Sequence, residues 1–398
     1  MVSERRCDAV MLEGMVWRTG EYLQPLGTSV KRRASQTRAD RFPTALTGSR
    51  DGVLFLGVFP APTVGSRPPS QEVATRLASV GWPVRLVSTR SSRLLRLVEM
   101  MAAIWTRRGE YACAHVDVFS GRAFVWAAAA TAALRLLRKP VLLTLHGGNL
   151  PTFATRWPRV MRWVLGSAAA VTAPSAYLLE AMRSYAPDLA LVPNGIEPSA
   201  YTFRVRSPPR PRLLWLRAFH RIYAPALAPR VLAQLSVEFP DATLTMVGPD
   251  KRDGSLDDTL RTARELGVAQ RLRVVGGVPK TDVPRWLAGS DIFLNTATID
   301  NLPVSVLEAM AAGLCVVTTD VGGIRYVVDH GAEAFLVPSG DARAMAAAVG
   351  RILRDPGLAA ALSTRARATA ERYGWSAIMP VWNRLFEEIA ARRDRRQR

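Results

Sequence analysis

From Val53 onward the chain alternates short apolar runs with longer amphipathic stretches, whereas residues 1–50 show no sustained period. Apolar runs of strand length stand at 53–59, 84–88, 115–119, 141–145, 169–172 and 189–192. Between them apolar positions recur at helical spacing over 71–80, 94–107, 123–137, 158–165 and 176–184. Each strand is thus predicted to feed a helix that returns the chain to the next strand, the pattern of βαβ units and a parallel sheet. The stretch Ser207-Pro208-Pro209-Arg210-Pro211 interrupts this pattern as a stiff polar linker. Beyond it the alternation restarts, with strands expected near 212–216, 243–247, 272–275, 292–294, 315–318 and 335–337. Helices are expected over 225–239, 256–266, 283–287, 304–312, 342–354 and 356–373, followed by an amphipathic segment at 377–392.

The expected fold class is α/β, with two Rossmann-like doubly wound domains facing across a cleft. Sheets of this kind bind ligands outside the carboxyl ends of their strands. We divide the chain into an irregular extension (1–50), a first domain (51–205), a second domain (206–375), and a C-terminal helix with a basic tail (376–398). The last helix is expected to pack back on the first domain. Two domains of roughly 170 residues each can bury a full core.

Composition alters this picture at one point. With 48% hydrophobic and 22% charged residues the chain is neither disordered nor fibrous. However, 53 Lys and Arg face 33 Asp and Glu, leaving +20, and the only lysines are Lys31, Lys139, Lys251 and Lys280. A surplus of this size points to phosphate-bearing partners: a nucleotide, an anionic membrane surface or nucleic acid. The net charge is +4 over 1–50, +8 over 51–200 and +8 over 201–398, so no single arm carries it and a nucleic-acid partner is not expected. Cys7, Cys113 and Cys315 are far apart and lack a zinc-type spacing, which reads as a reducing compartment and no metal. The apolar stretch 123–134, closed by Arg122 and Arg135, falls short of the roughly 20 residues that span a bilayer. No signal peptide is discerned, so a cytoplasmic location is expected.

Candidate chemistry concentrates at 300–313. A predicted strand feeds a loop, Pro303 can open a helix where its missing N–H costs nothing, and Gly313 ends it. The N–H groups of Val304 and Ser305 would then face the cleft as an anion site. Asp300 and Glu308 add two carboxylates suited to accepting hydrogen bonds from sugar or ribose hydroxyls. A second patch, Arg156-Trp157-Pro158-Arg159-Val160-Met161-Arg162-Trp163, mixes basic and aromatic residues at helical spacing, as interfacial helices do.

The segment Asp300-Asn301-Leu302-Pro303-Val304-Ser305-Val306-Leu307-Glu308-Ala309-Met310-Ala311, with Val321-Gly322-Gly323 downstream, resembles the donor-sugar motif of glycosyltransferase family 4, whose members have the GT-B fold. That family pattern is a Glu, seven residues and a second Glu. Glu308 matches the second, which implies a ribose contact, and Asp300 stands as a shortened first, which implies a contact to the transferred sugar. Asn301, Pro303, Val304 and Ser305 fill the donor loop between them. After the first strand of the second domain the family has G-R-x4-K; Arg217 matches the Arg, implying a contact to the departing diphosphate. The lysine position holds Ile222, and Arg221, His220 and Lys251 are the substitutes, ranked in that order. His146, ahead of Gly147-Gly148, matches a family histidine near the donor sugar and its phosphate, while His115, His220 and His330 are read as structural. Gly65 and Ser66 correspond to the family's glycine loop beneath the acceptor, with one glycine where the family has two. Pro193-Asn194-Gly195-Ile196 resembles the family's turn before the linker. The resemblance spans about residues 53–390.

The implied activity is retaining transfer of a hexose-type sugar from a UDP-sugar or GDP-sugar, with no cofactor and no metal. The implied acceptor is lipid-linked, polysaccharide or small-molecule, in cell-envelope or exopolysaccharide biosynthesis, with peripheral contact to an anionic membrane. Two alternatives stand beside it: a GT-B sugar-nucleotide epimerase, and a non-catalytic binder of sugar nucleotides or nucleic acid.

Overall fold

The computed structural model describes residues 52–59, 68–88, 90 and 92–397. The extension 1–50 and the Gly65-Ser66 loop lie outside the described residues.

In the first domain, strands β1 (Val53–Leu56), β2 (Val84–Val87), β3 (Cys113–Val118), β4 (Val141–Leu145), β5 (Ala170–Ala173) and β6 (Ala190–Leu191) form one sheet in the order β2-β1-β3-β4-β5-β6. All its pairings are parallel. Strands β1, β3 and β4 are buried at every position because helices cover both faces, which is why they read as continuous apolar runs. Helices α1 (Pro69–Ser79), α2 (Arg93–Thr106), α3 (Phe124–Leu136), α4 (Leu150–Arg156), α5 (Pro158–Gly166) and α6 (Ala176–Met182) connect the strands. The periodicity did not anticipate α4. Pro151 gives that segment the look of a turn, but it stands in the first helical turn, where the lost N–H has no partner to lose.

The second domain contains β7 (Arg212–Leu216), β8 (Thr243–Val247), β9 (Leu272–Gly276), β10 (Ile292–Asn295), β11 (Cys315–Thr319) and β12 (Ala334–Val337). Their order is β12-β11-β10-β7-β8-β9. Helices α7 (Leu227–Leu235), α8 (Ser255–Glu265), α9 (Val283–Ala288), α10 (Val304–Ala311), α11 (Ala342–Arg354) and α12 (Pro356–Glu371) cover it. Counted within the domain, the strand order is the 3-2-1-4-5-6 of a dinucleotide-binding sheet, read from the opposite edge. Its direction of winding reverses between β7 and β10; in the first sheet the reversal lies between β1 and β3.

The final helix, α13 (Trp375–Gln397), returns to the first domain. Its stripe of Trp375, Ile378, Trp382, Leu385, Phe386 and Ile389 joins Phe55, Val73 and Leu77 in one core, on the sheet face opposite α2, α3 and α5. Gly195 makes this return possible, because a Cβ there would lie 2.5 Å from the Trp375 ring. The chain between the domains is anchored rather than loose. Arg206 is fully buried, and it joins Arg204 and Arg212 in pairing with the buried Asp291.

Candidate active site

The carboxyl ends of the two sheets face each other. Loops after β4, β5 and β6 supply Gly148, Ser175 and Asn194, and all three meet the 300–302 loop after β10. Ser175 Oγ hydrogen-bonds Asn301 Oδ1, and Asn194 Nδ2 donates to the Leu302 carbonyl at 3.2 Å. A Cβ on Gly148 would lie 2.8 Å from the Asp300 carbonyl oxygen, and Cβ atoms on Gly322 and Gly323 would lie 2.0 Å from the Asp300 and Asn301 carbonyls. Glycines from both domains thus grip this loop at backbone distance. The double glycine after β11 is needed for that approach.

At the reversal between β7 and β10, Arg217 leaves the end of β7 and ion-pairs with Asp300. Its guanidinium lies over the Tyr223 ring at 4.5 Å, and its Nε is buried without a partner among the described residues. Burial works against the Arg217 charge, but Asp300 and Tyr223 overcome it and hold the group above its ordinary range. Next to this pair, α10 begins at Val304 behind Pro303. The first turn is closed by the Val306 and Leu307 N–H groups to the Pro303 carbonyl at 3.1 and 3.3 Å, which leaves the Val304 and Ser305 amides outside that ladder. Ser305 Oγ is also buried without a partner among the described residues. A guanidinium, a helix N-terminus and an unsatisfied hydroxyl therefore converge where a doubly wound sheet binds phosphate.

Glu308, one turn further along α10, is 2% exposed. It accepts a hydrogen bond from the Tyr201 hydroxyl at 2.7 Å and pairs with Lys280 Nζ, both through Oε1. Burial pushes the Lys280 ammonium down to about 8, against the pull of Glu72 on α1 of the first domain. Among the described residues Oε2 makes no such contact. Neither Lys280 nor Tyr201 was expected: they stand on a loop after β9 and in the interdomain segment, with no local spacing that ties them to Glu308. The signal that could have found Lys280 was its place directly after Gly276-Gly277-Val278-Pro279, a glycine loop at the carboxyl end of β9.

The residues ranked to replace the missing lysine are placed elsewhere. The Arg221 amide and Nε bond Asp253 at 2.8 and 3.1 Å, which turns its guanidinium to the 250–254 turn. Lys251 is exposed, and its amide donates to the Phe219 carbonyl at 3.1 Å. Ile222, in strict register with that lysine, gives its carbonyl to Thr298. Across the cleft His146 follows β4, with Nε2 2.9 Å from Asp117 Oδ1 and its ring stacked on Phe119 at 5.0 Å. Of the residues singled out from sequence, Arg217, Asp300, Asn301, Pro303, Val304, Ser305 and Glu308 form one contiguous wall, with His146 two residues from Gly148 on the opposite one. His115 and His330 have the structural roles expected of them: His115 Nε2 bonds Thr144 at 2.8 Å, and His330 Nδ1 bonds the Leu336 backbone.

Two facing doubly wound domains tied by a C-terminal helix constitute the GT-B architecture. Solved structures agree: sucrose-phosphate synthase from Thermosynechococcus elongatus superposes with a TM-score of 0.72 at 19% identity, covering 86% of this chain and 100% of that one. Anabaena HepE, solved with UDP and glucose, superposes at 0.68 with 18% identity, covering 85% of this chain and 100% of its own. Residues 55–200 match the model of Glycosyltransferase Family 4, and residues 211–355 that of Glycosyl transferases group 1. The chain belongs to glycosyltransferase family 4. Among curated relatives, a D-inositol 3-phosphate glycosyltransferase of Thermobispora bispora is 30% identical over 45% of this chain and 44% of its own length. A phosphatidyl-myo-inositol mannosyltransferase of Mycolicibacterium smegmatis is 27% identical over 65% of this chain and 67% of its own. The chain thus spans less than half of the first relative and about two thirds of the second.

Proposed function

We propose that this chain transfers a hexose-type sugar from a nucleoside diphosphate to an acceptor hydroxyl, with retention at the anomeric carbon. The observation that carries the reading is the convergence of Arg217 with the free amides of α10 at the switch point of the second sheet. Breaking the bond between the anomeric carbon and the diphosphate oxygen leaves negative charge on the diphosphate. A preorganised guanidinium and helix N-terminus stabilise that charge as it develops, and no metal ion is assigned a part. Glu308 Oε2 accepts from the ribose hydroxyls. Asp300, held by Arg217, lies beside the transferred sugar, and the acceptor hydroxyl attacks from the face the diphosphate leaves, passing its proton to the departing diphosphate oxygen. The donor is a UDP-sugar or a GDP-sugar; one relative is named a GDP-mannose-dependent mannosyltransferase, and HepE was solved with UDP.

Thermal shift against UDP- and GDP-sugars tests the donor site. At a hundredfold excess over Kd the correct donor should stabilise the protein by about 2.7 kcal/mol, and a flat profile across all donors overturns the reading. Product analysis with donor alone separates transfer from epimerisation. Salt-sensitive nucleic-acid binding without donor turnover would mark a non-catalytic binder.

The acceptor is assigned to a lipid-linked or polysaccharide class, with the first domain resting on an anionic membrane at the cytoplasmic face. Among the described residues no helix is long and apolar enough to cross a bilayer. Support comes from the helices that pack against α3. At the α4–α5 junction and along α5, Trp157, Val160 and Trp163 are exposed beside the exposed Arg156, Arg159 and Arg162, and α2 exposes Leu94, Leu95, Val98 and Trp105. Residues 90–166 carry 12 basic and 3 acidic side chains, close to half of the chain's surplus. Replacing Arg156 and Arg159 by serine should weaken co-sedimentation with anionic vesicles about 30-fold, at about 1 kcal/mol per basic residue. Sedimentation that ignores the anionic lipid content would remove the membrane from this proposal.

A further inference from the structure

The first sheet has its own reversal point, between β1 and β3, and a carboxylate stands there. Asp117, near the end of β3, has a side chain 4% exposed. Its Oδ1 meets His146 Nε2 at 2.9 Å, and its Oδ2 accepts from the Ser70 hydroxyl, on α1, at 2.7 Å. The site is fitted to the carboxylate: a Cβ on Gly57, just past β1, would come within 2.7 Å of Oδ2.

Burial alone would raise the Asp117 carboxyl, but the charge and hydrogen bond of His146, with His115 and Ser70, hold it below its usual range. An ionised carboxylate only accepts, so the Nε2 of His146 must be the donor. The nearby His115 does not compete. Its Nδ1 stands 4.0 Å from Asp117 Oδ1, its Nε2 is committed to Thr144, and burial lowers its pKa to about 4. The remaining ring nitrogen of His146, Nδ1, makes no hydrogen bond among the described residues and is not among the atoms sealed from solvent. The partner of one imidazole nitrogen sets the state of the other.

We propose that Asp117 is the positioning residue of His146: by accepting from Nε2 it fixes the tautomer and leaves Nδ1 as a lone-pair acceptor for a hydroxyl of the donor sugar. The sugar half of this statement rests on the donor-site reading above; the positioning half rests on geometry alone. Nothing in the sequence marks Asp117, because a lone acidic residue in an apolar strand has no spacing partner. The three groups come together from β3, β4 and α1.

Long-range 15N–1H correlation of the imidazoles tests it, and with 4 histidines in the chain the ring signals are few enough to assign by substitution. In the wild-type protein at a pH where the ring is neutral, His146 should show a protonated Nε2 and a bare Nδ1. Asp117→Asn keeps the volume but exchanges two acceptors for one acceptor and one donor, so the tautomer is no longer dictated. Its His146 signals should mix both tautomers. Turnover should fall about tenfold with donor KM within about twofold and an unchanged melting temperature. A purely structural Asp117 would lower the melting temperature and leave the tautomer alone, which overturns the proposal. So does a wild-type ring protonated on Nδ1, whatever the variant does and even if it fails to fold. An Nε2–H ring in a protein that turns over no sugar nucleotide overturns the donor-site reading and the hydroxyl partner with it, not the positioning of the ring.

Discussion

Arg217→Ala should lower turnover by about 10²–10³ at saturating donor, the cost seen when a single preorganised donor to a developing oxyanion is removed. Two features of the site set this size. Arg217 is fixed before any ligand arrives, by Asp300 at its tip and Tyr223 beneath its plane, so little of its stabilisation is spent on ordering the side chain. Its Nε is buried and unpaired, which leaves a donor with nothing to offset its desolvation until a phosphate oxygen enters. Arg217→Lys should recover little, because a point charge cannot hold Asp300 and a diphosphate oxygen in one plane. Arg217→Ala also strands the Asp300 carboxylate, 9% exposed, without its counter-charge. A melting-temperature loss that Asp300→Asn relieves in the double variant, with turnover still low, separates stability from chemistry. Turnover near the wild-type value in Arg217→Ala removes the guanidinium from the mechanism.

The wall of the candidate site, from Asp300 to Glu308, was legible in the sequence because it is local. Pro303 and Gly313 bracket α10, and the loop from Asp300 to Ser305 carries its chemistry within a single turn of chain. Helix and strand positions followed from periodicity for the same reason. What escaped were contacts made by topology. Lys280 and Tyr201 reach Glu308 from two segments far apart in sequence, and Asp117 meets His146 only because β3 and β4 are neighbours in register, with Asp117 opposite Thr144. The ranking of Arg221 above other cations assumed that a residue near the family's lysine position points the same way. A 3-10 turn at Arg221–Tyr223 instead aims it at Asp253. Nor could composition show that the stiff 207–211 stretch continues a buried anchor, with Arg206 and two further arginines held on Asp291.

The charge surplus now divides by location. Arg204, Arg206 and Arg212 are spent on holding the interdomain chain, and Arg217 and Lys280 on the cleft. The excess within residues 90–166 lies on and around α2, α3 and α5.

Glu308→Gln should raise donor KM by about 10- to 100-fold while turnover changes little, because the lost interaction is a charge-assisted hydrogen bond to the bound nucleotide, of about 1.5–3 kcal/mol. The substitution keeps the shape and the Tyr201 contact but removes the partner charge of Lys280. In the wild type that lysine, lowered by burial to about 8, confers a pH dependence whose sign differs between stability and binding. Below pH 8 it is charged in the folded and unfolded chain alike, and the buried charge costs stability. Between about 8 and its ordinary 10.5 the folded chain has released the proton and the unfolded chain has not, so this cost is relieved as pH rises. Donor affinity should run the other way, weakening as pH passes 8, because the neutral amine no longer holds Glu308 in place. Lys280→Met keeps the stem without the charge, so its donor KM should be raised and flat across the same window. Donor KM measured from pH 7 to 9 in wild type, Glu308→Gln and Lys280→Met checks both signs. A wild-type profile with no inflection near 8, together with a Lys280→Met KM equal to wild type, would show that Glu308 binds the nucleotide without help from the lysine.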